Sequence, residues 1–493
     1  LPRWTLRMKA SIGGKRIMRG GSVLAVGQIA GQVCSFARYS IVAHHISTTD
    51  FGIASMLVAT IATLDMLSNL SLDKMVVQSP NGDDEAFLST AHLVQAVRGS
   101  FSALILFLLA GPLTRLLSIP HAQGAFQVLA LIPFLRGMWH LDLYRLQREM
   151  RFRTMVVADL ISQLAVLLMS WPVAGFFGNH WAMLWLIFSQ NLIYLLLSHL
   201  LAERRYKWSR NREFARQMFH FGWPLLLNGF LIAGAMQGDR YILGSAKRIF
   251  GSSAYTMIEV GIYSVALSIA LMPTVSLVKV CGQLVLPLLS RHQGEPEPFE
   301  RYTKNSFLLV SLIAAFCASF FIVAGEYTVV LLFTEKYRLA GKLLGWLGLM
   351  QSLRILRIIP TCAAIALGDT MNALIANCFR SVALLLIGVA VYMSMDLHII
   401  AACGVLGEAL AIGAVLVRLH GRHHLKLGHF IKALSVFALC IFVASLFESE
   451  DLGLIGCLWR TMAAFISCLG IQLLFFPRST RGNAGRNDRG RRR

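Results

Sequence analysis

The sequence predicts an all-α, polytopic membrane protein of about 14 transmembrane helices, arranged as two six-helix pseudo-symmetric lobes plus two C-terminal helices. Three observations carry that reading. Of the 493 residues, 56% are hydrophobic and only 14% charged, whereas soluble domains carry roughly 25% charged residues. The apolar residues gather into long runs, such as 101–113, 183–201 and 382–395, which suit a hydrocarbon core that takes about 20 residues per helix. Part of the first half also returns in the second.

Hydropathy and helix breakers place the spans at 21–46, 52–72, 86–112, 124–145, 155–177, 180–202, 220–245, 260–287, 305–333, 340–366, 371–395, 398–418, 430–447 and 452–476. The domains follow. A basic N-terminal segment, 1–20, polar and unlike a cleavable signal peptide, precedes a six-helix lobe at 21–202. A basic linker, 203–219, leads to a second lobe at 220–418, two further helices at 430–476 and a polar, Arg-rich tail at 478–493, expected to be disordered. The formal charge of +21 needs no nucleic acid. With the N-terminus inside, 31 Lys and Arg fall in the inner segments and six in the outer ones, a bias that predicts both termini in the cytoplasm. The tail reads first as a topology anchor and second as a ligand for anionic lipid heads.

The repeat is visible as matching residues. An offset of 202 sets Gly20, Gly27, Arg38 and Tyr39 on Gly222, Gly229, Arg240 and Tyr241. After the next loop the offset is 209, and Gly52, Ile53 and Ser55 coincide with Gly261, Ile262 and Ser264. Halves with an even number of helices share one orientation, so a cavity between them suits alternating access.

Charged groups in spanning helices cost at least about 2.5–3.5 kcal/mol at mid-depth and need a partner, a wet cavity or a route to the interface. Arg98, Asp159, Lys279, Asp369 and Arg380 lie near predicted helix ends and are read as snorkelling. Arg38 and the Asp239-Arg240 pair sit at matching depths of the two lobe-leading helices. They serve either a cavity or a structural ion pair. Arg136 with His140 at i+4, and Arg354 with Arg357 at i+3, are each predicted on one helix face. Guanidinium groups bind phosphate oxygens bidentately and stay charged, so Arg38, Arg136, Arg240, Arg354 and Arg357 are the candidate anion-binding residues. Asp65, Asp239 and Glu408 are candidates for a coupling proton.

No nucleotide-binding loop, dinucleotide fingerprint or nucleophile elbow is present, so no enzyme activity and no cofactor are expected. His420, His423, His424 and His429 lie in a basic loop without Cys or carboxylate company and are read as a loop, not a metal site. The nine cysteines sit in apolar stretches and read as small buried hydrophobes. Gly27 and Gly31 are spaced for close packing of the first helix.

Several ordered motifs carry a family likeness over about residues 20–420. In the first half these are Thr49-Asp50-Phe51-Gly52-Ile53-Ala54, Leu131-Ile132-Pro133-Phe134-Leu135 and the segment from Gln147 to Arg153. In the second half they are Phe221-Gly222-Trp223-Pro224, Asp239-Arg240-Tyr241-Ile242-Leu243-Gly244, the run from Gly261 to Ala266, the run from Leu284 to Arg291, and the run from Leu332 to Tyr337. The chain resembles the oligosaccharide flippases of the polysaccharide transporter family, in the superfamily that also holds multidrug exporters and the lipid II flippase. His44 stands where that family commonly has Arg, Thr48 where it has Pro, and the loop before Gly261 is longer than usual. The resemblance implies a bacterial inner-membrane flippase whose cargo is a polyprenyl-diphosphate-linked oligosaccharide for surface or exopolysaccharide biosynthesis, with membrane lipids around it and a polymerase and glycosyltransferases as partners. The rival readings are a multidrug or cation exporter of the same superfamily and a membrane glycan polymerase or ligase.

Overall fold

The computed structural model describes residues 14–149, 151–369 and 371–446, with isolated positions between 456 and 470. The last predicted helix, the Arg-rich tail, Cys457 and Cys468 therefore lie largely or wholly outside the described residues, as does most of the basic N-terminal segment. No strand occurs among the described residues. The first lobe runs through α1 (Gly14–His45), α2 (Thr48–Ser68), α3 (Leu72–Gln78), α4 (Glu85–Leu116), α5 (Gln123–Leu129), α6 (Leu131–Gly137), α7 (Asp142–Arg148), α8 (Arg153–Phe177) and α9 (Trp181–Leu200). The second comprises α10 (Arg212–Gly244), α11 (Ala246–Ile249), α12 (Met257–Arg291), α13 (Pro296–Phe333), α14 (Arg338–Ala366), α15 (Met371–Tyr392) and α16 (Leu397–His423), followed by α17 (Gly428–Ser445).

Ten of the described helices are long and apolar enough to cross a membrane. Large apolar side chains cover the outside, Phe101, Leu108, Leu168, Phe176 and Leu385 among them, each more than half exposed. Such a surface is stable only in lipid, so this is a multi-pass membrane protein. Of the predicted spans up to residue 447, all but one coincide with a helix, while 452–476 lies largely outside the described residues. The span at 124–145 is broken into α5, α6 and α7. Pro133 has no N–H for the Leu129 carbonyl, and the chain turns again between Met138 and Leu141 before α7 starts. His140 consequently leaves the helical face of Arg136 and lies among His92, His199 and Tyr206, with ring centroids 4.7, 5.3 and 5.4 Å away. The predicted Arg136–His140 pairing is thereby corrected.

The two ends of the bundle differ. At the end bearing the α1–α2 turn, here the far end, a single apolar core runs through both lobes and joins Phe51, Met56 and Phe126 to Val260, Phe333 and Tyr337. Toward the other end, where the inter-lobe linker lies, the apolar clusters are separate. The far-end contact is built from the repeat. A Cβ on Gly52 would collide with the Met257 carbonyl oxygen, and one on Gly261 would stand 2.6 Å from the Thr48 carbonyl oxygen. Positions 48 and 52 map onto 257 and 261 by the same offset of 209, so the contact is isologous, as a two-fold axis demands. The helix caps repeat too. Ser47 accepts from the Asp50 N–H at the start of α2, and Thr256 with Glu259 forms a capping box at the start of α12. Lys336 from the second lobe adds a hydrogen bond to the Ile46 carbonyl at 2.7 Å.

Close packing of α1 is confirmed at Gly27 and Gly31, whose missing side chains admit Val156 and Gln163 of α8. Of the seven described cysteines five are buried, whereas Cys317 is half-buried and Cys378 is exposed, so the buried reading holds for most but not all. The four-histidine segment is not all loop. His420 and His423 belong to α16, and His429 to α17.

The linker is held to the first lobe by pairs such as Arg151–Glu203, Arg204–Asp83 and Lys207–Glu85, and by one buried carboxylate. Asp142 is fully buried and accepts from Arg145 at 2.5 Å and from the backbone N–H groups of Glu203 and Arg204 at 2.8 and 3.3 Å. Hydrogen bonds to an ionised group are worth about 1.5–3 kcal/mol each. The Asp142→Asn variant is therefore expected to release the linker and to be cut by trypsin at Arg204 or Arg205 at about tenfold lower protease than wild type. Equal cleavage profiles would disprove this anchoring.

Candidate functional site

A cavity of about 510 Å³ opens inside the first lobe, and one of about 230 Å³ adjoins it between the lobes. Tyr39 and Val58 line both and form the wall between them. The residues come from α1, α2, α6 and the turn after it, α8, α9, α10 and α12, so both lobe-leading helices contribute. Tetrad spacing places them. On α9, Ile187, Gln190, Asn191 and Tyr194 follow an i, i+3, i+4, i+7 stripe, and all four face the larger cavity.

The repeat-related arginines line the two cavities that Tyr39 separates. Arg38 lines the larger cavity and Arg240 the smaller, and the Tyr39 hydroxyl lies in the field of both. Each is more than nine-tenths buried. Arg38 donates to the Gln190 amide oxygen, and Arg240 to that of Gln237 at 3.1 Å. Neither forms an ion pair with a carboxylate among the described residues, and the Nε of each is buried with no hydrogen-bond partner. Burying a full charge with only neutral amides around it is expensive, so these two groups carry positive charge that no carboxylate among the described residues balances.

The other predicted residues separate into two sets. Arg136 lines the larger cavity, where Asp65 pairs with it and Asn191 accepts from its Nε at 2.7 Å. Arg354 and Arg357 lie elsewhere, inside the second lobe. Their i, i+3 spacing aims both at Glu408, with nitrogen–oxygen distances of 2.9 and 3.3 Å. Arg380 joins them at 2.8 Å, so one carboxylate, only 1% exposed, holds three guanidinium groups. Asp239 accepts from the Tyr263 hydroxyl at 2.7 Å beside this cluster.

Three of the residues read as snorkelling face the interior instead. Arg380 sits nine residues into α15, about 14 Å from its start, and depth counted that way would have marked it. Asp159 and Lys279 both line the larger cavity, Asp159 bonded to Gln163 at 3.0 Å. Asp369 does lie at a helix end, where Arg418 grips it with bonds of 2.9 and 3.0 Å. Among the described residues no cluster of His, Cys, Asp or Glu is arranged to hold a metal ion.

Two bundles of long apolar helices around a polar, cation-bearing cavity define a polytopic membrane protein of the transporter fold. A family profile described as polysaccharide biosynthesis protein matches residues 41–340, and the chain belongs to that family. The architecture is similar to that of the lipid II flippase MurJ in an inward closed conformation, with a TM-score of 0.70 and 11% identity over 91% of this chain and 98% of that one. It is also similar to an inward-facing multidrug resistance transporter of the MATE family in the MOP superfamily, with a TM-score of 0.62 and 13% identity over 83% and 95% of the two chains. A MOP superfamily transporter from Pyrococcus furiosus, described as having a binding pocket of reverse polarity, gives 0.56 and 16% over 84% and 96%. At such identities the likeness is one of fold. No curated protein sequence matches the chain.

Proposed function

We propose that this protein flips polyprenyl-diphosphate-linked oligosaccharides across a bacterial inner membrane, by alternating access and without enzymatic chemistry, for surface or exopolysaccharide biosynthesis. The observation that carries the proposal is the Arg38 and Arg240 pair: two buried guanidinium groups, related by the repeat, flanking Tyr39 without a carboxylate partner. A diphosphate supplies the missing negative charge and matches the bidentate geometry of guanidinium. The family supports the biosynthetic setting, and the far-end closure with separate cores toward the linker supports a state open to the linker side. The distribution of Lys and Arg supports both termini in the cytoplasm. A polymerase and glycosyltransferases are the partners this role calls for.

In this reading Arg38 and Arg240 hold the phosphates. Asp65 is the coupling candidate, because its side chain is 38% exposed to the cavity and shares Arg136. Protonation there releases Arg136 for the cargo. Asp239 and Glu408, with Arg354 and Arg357, form the ionic core of the second lobe. A cation exporter is disfavoured by the cavity charge: Arg38, Arg136 and Lys279 outnumber Asp65 and Asp159. A polymerase or ligase calls for an external catalytic loop, and the longest described far-end connection is 245–256.

The test is complementation. Each guanidinium–phosphate contact is worth about 1.5–3 kcal/mol, so the Arg38→Ala/Arg240→Ala double variant is expected to bind cargo about 10²–10⁴-fold more weakly. In a strain lacking its flippase it should fail to restore surface polymer at normal protein level, with lipid-linked oligosaccharide accumulating on the cytoplasmic leaflet. Full restoration would refute the assignment.

A further inference from the structure

We propose that the first-lobe wall of the larger cavity is a sugar-binding subsite built on Trp139 and Tyr194, separate from the arginines that hold the phosphates. The inference rests on the flippase reading and divides its cargo into two chemically distinct halves. Trp139 comes from the turn after α6 and Tyr194 from α9, and their ring centroids lie 4.4 Å apart at an interplanar angle of 52°. Both rings line the 510 Å³ cavity. Tyr194 rests on the apolar cluster of Leu143, Leu146 and Ala158, yet both rings also share a cavity wall with Gln28, Asp65, Gln190 and Asn191.

That combination is suited to a pyranose ring. One face of such a ring is a patch of C–H groups, which packs on the flat apolar face of an aromatic ring, and its rim carries hydroxyls that need convergent acceptors and donors. The α9 stripe supplies both from one helix face: Gln190 presents its amide N–H groups and Tyr194 its ring one turn on, while Asn191, bonded to Arg136 and to the Ile187 carbonyl, fixes the wall. Arg136 completes the wall. Its guanidinium lies 5.7 Å from the Trp139 ring centroid while Asp65 and Asn191 occupy its nitrogens, so its charge is already balanced and it serves the wall as a positioned donor. The unbalanced charge lies at Arg38 and Arg240. A volume of about 510 Å³ falls within the roughly 300–1,000 Å³ of sites that enclose small ligands, which is more than a diphosphate alone requires.

The test measures binding to the purified full-length protein in detergent by calorimetry. The probes are a polyprenyl diphosphate without sugar and the same lipid bearing a single glucose, galactose or N-acetylglucosamine. At least one sugar is expected to raise affinity by about tenfold or more over the bare lipid. In Trp139→Ala and in Tyr194→Leu the ratio of glycosylated to bare affinity should fall toward one. Tyr194→Leu keeps apolar volume and decides the matter if Trp139→Ala fails to fold. If the bare lipid binds and no sugar adds affinity, or if the ratio survives both substitutions, the subsite is refuted while the phosphate reading stands. If the bare lipid does not bind the wild-type protein, or Arg38→Ala/Arg240→Ala leaves its affinity unchanged, the flippase reading itself fails.

Discussion

Substituting Gly52 by Leu is expected to abolish transport while the protein still inserts and accumulates normally. The two lobes touch at the far end through backbone, with the Gly52 Cβ position already inside the envelope of the Met257 carbonyl and Gly261 packed reciprocally on Thr48. Neither contact has a flexible side chain that could step aside. Cores tolerate added methylenes at a cost of about 1–3 kcal/mol by shifting neighbours, but here the neighbour is the backbone of the opposing lobe. The lobes must part. Each lobe retains its own helices and apolar packing, so the cost falls on the closed state rather than on folding. A two-state transporter biased by about 3 kcal/mol moves its equilibrium by about 10²-fold. The measurement is labelling of Ser264→Cys on α12 by a membrane-impermeant thiol reagent, relative to the same position with Gly52 intact. Labelling should rise with Gly52→Leu, and Gly261→Leu should reproduce the effect because the contact is isologous. Normal complementation with unchanged labelling would show that this contact does not gate transport.

The far-end contact also marks how much of the fold was legible in the sequence. Gly52 and Gly261 were visible as a repeated pair, and hydropathy located the helices because the membrane imposes length and apolarity on every span. The break in the fourth span was signalled by Pro133, but hydropathy windows average over a single residue. The site was less legible for a different reason. Arg38 and Arg240 could be matched by register within the repeat, whereas the partner of Arg354 and Arg357 depends on how α14, α15 and α16 are rotated about their axes. Nothing in the spacing along one helix specifies that rotation. Asp159 and Lys279 were hidden by the same limit: each lies in the part of its helix where snorkelling is plausible, and only the packing of α1 against α8 through Gly27 and Gly31 brings Asp159 to the cavity.

The ionic core of the second lobe gives the other large expected effect. Glu408 balances Arg354, Arg357 and Arg380 from two neighbouring helices, and Arg380 additionally donates to the Ala235 carbonyl of α10. Removing one partner of a buried ionic cluster costs about 3–5 kcal/mol, because the remaining charges stay desolvated without compensation. Glu408→Gln keeps the shape and withdraws the charge. It is expected to lower the midpoint of thermal unfolding in detergent by several degrees or more and to reduce steady-state protein in the membrane. A second change should then rescue part of the loss: adding Arg380→Gln to Glu408→Gln removes one of the orphaned cations, so the double variant should be more stable than the single one. That sign distinguishes an ionic core from a coupling site. If Glu408 instead carried a transported proton, Glu408→Gln would mimic its protonated state, leaving the protein stable and transport uncoupled, and Arg380→Gln would bring no rescue.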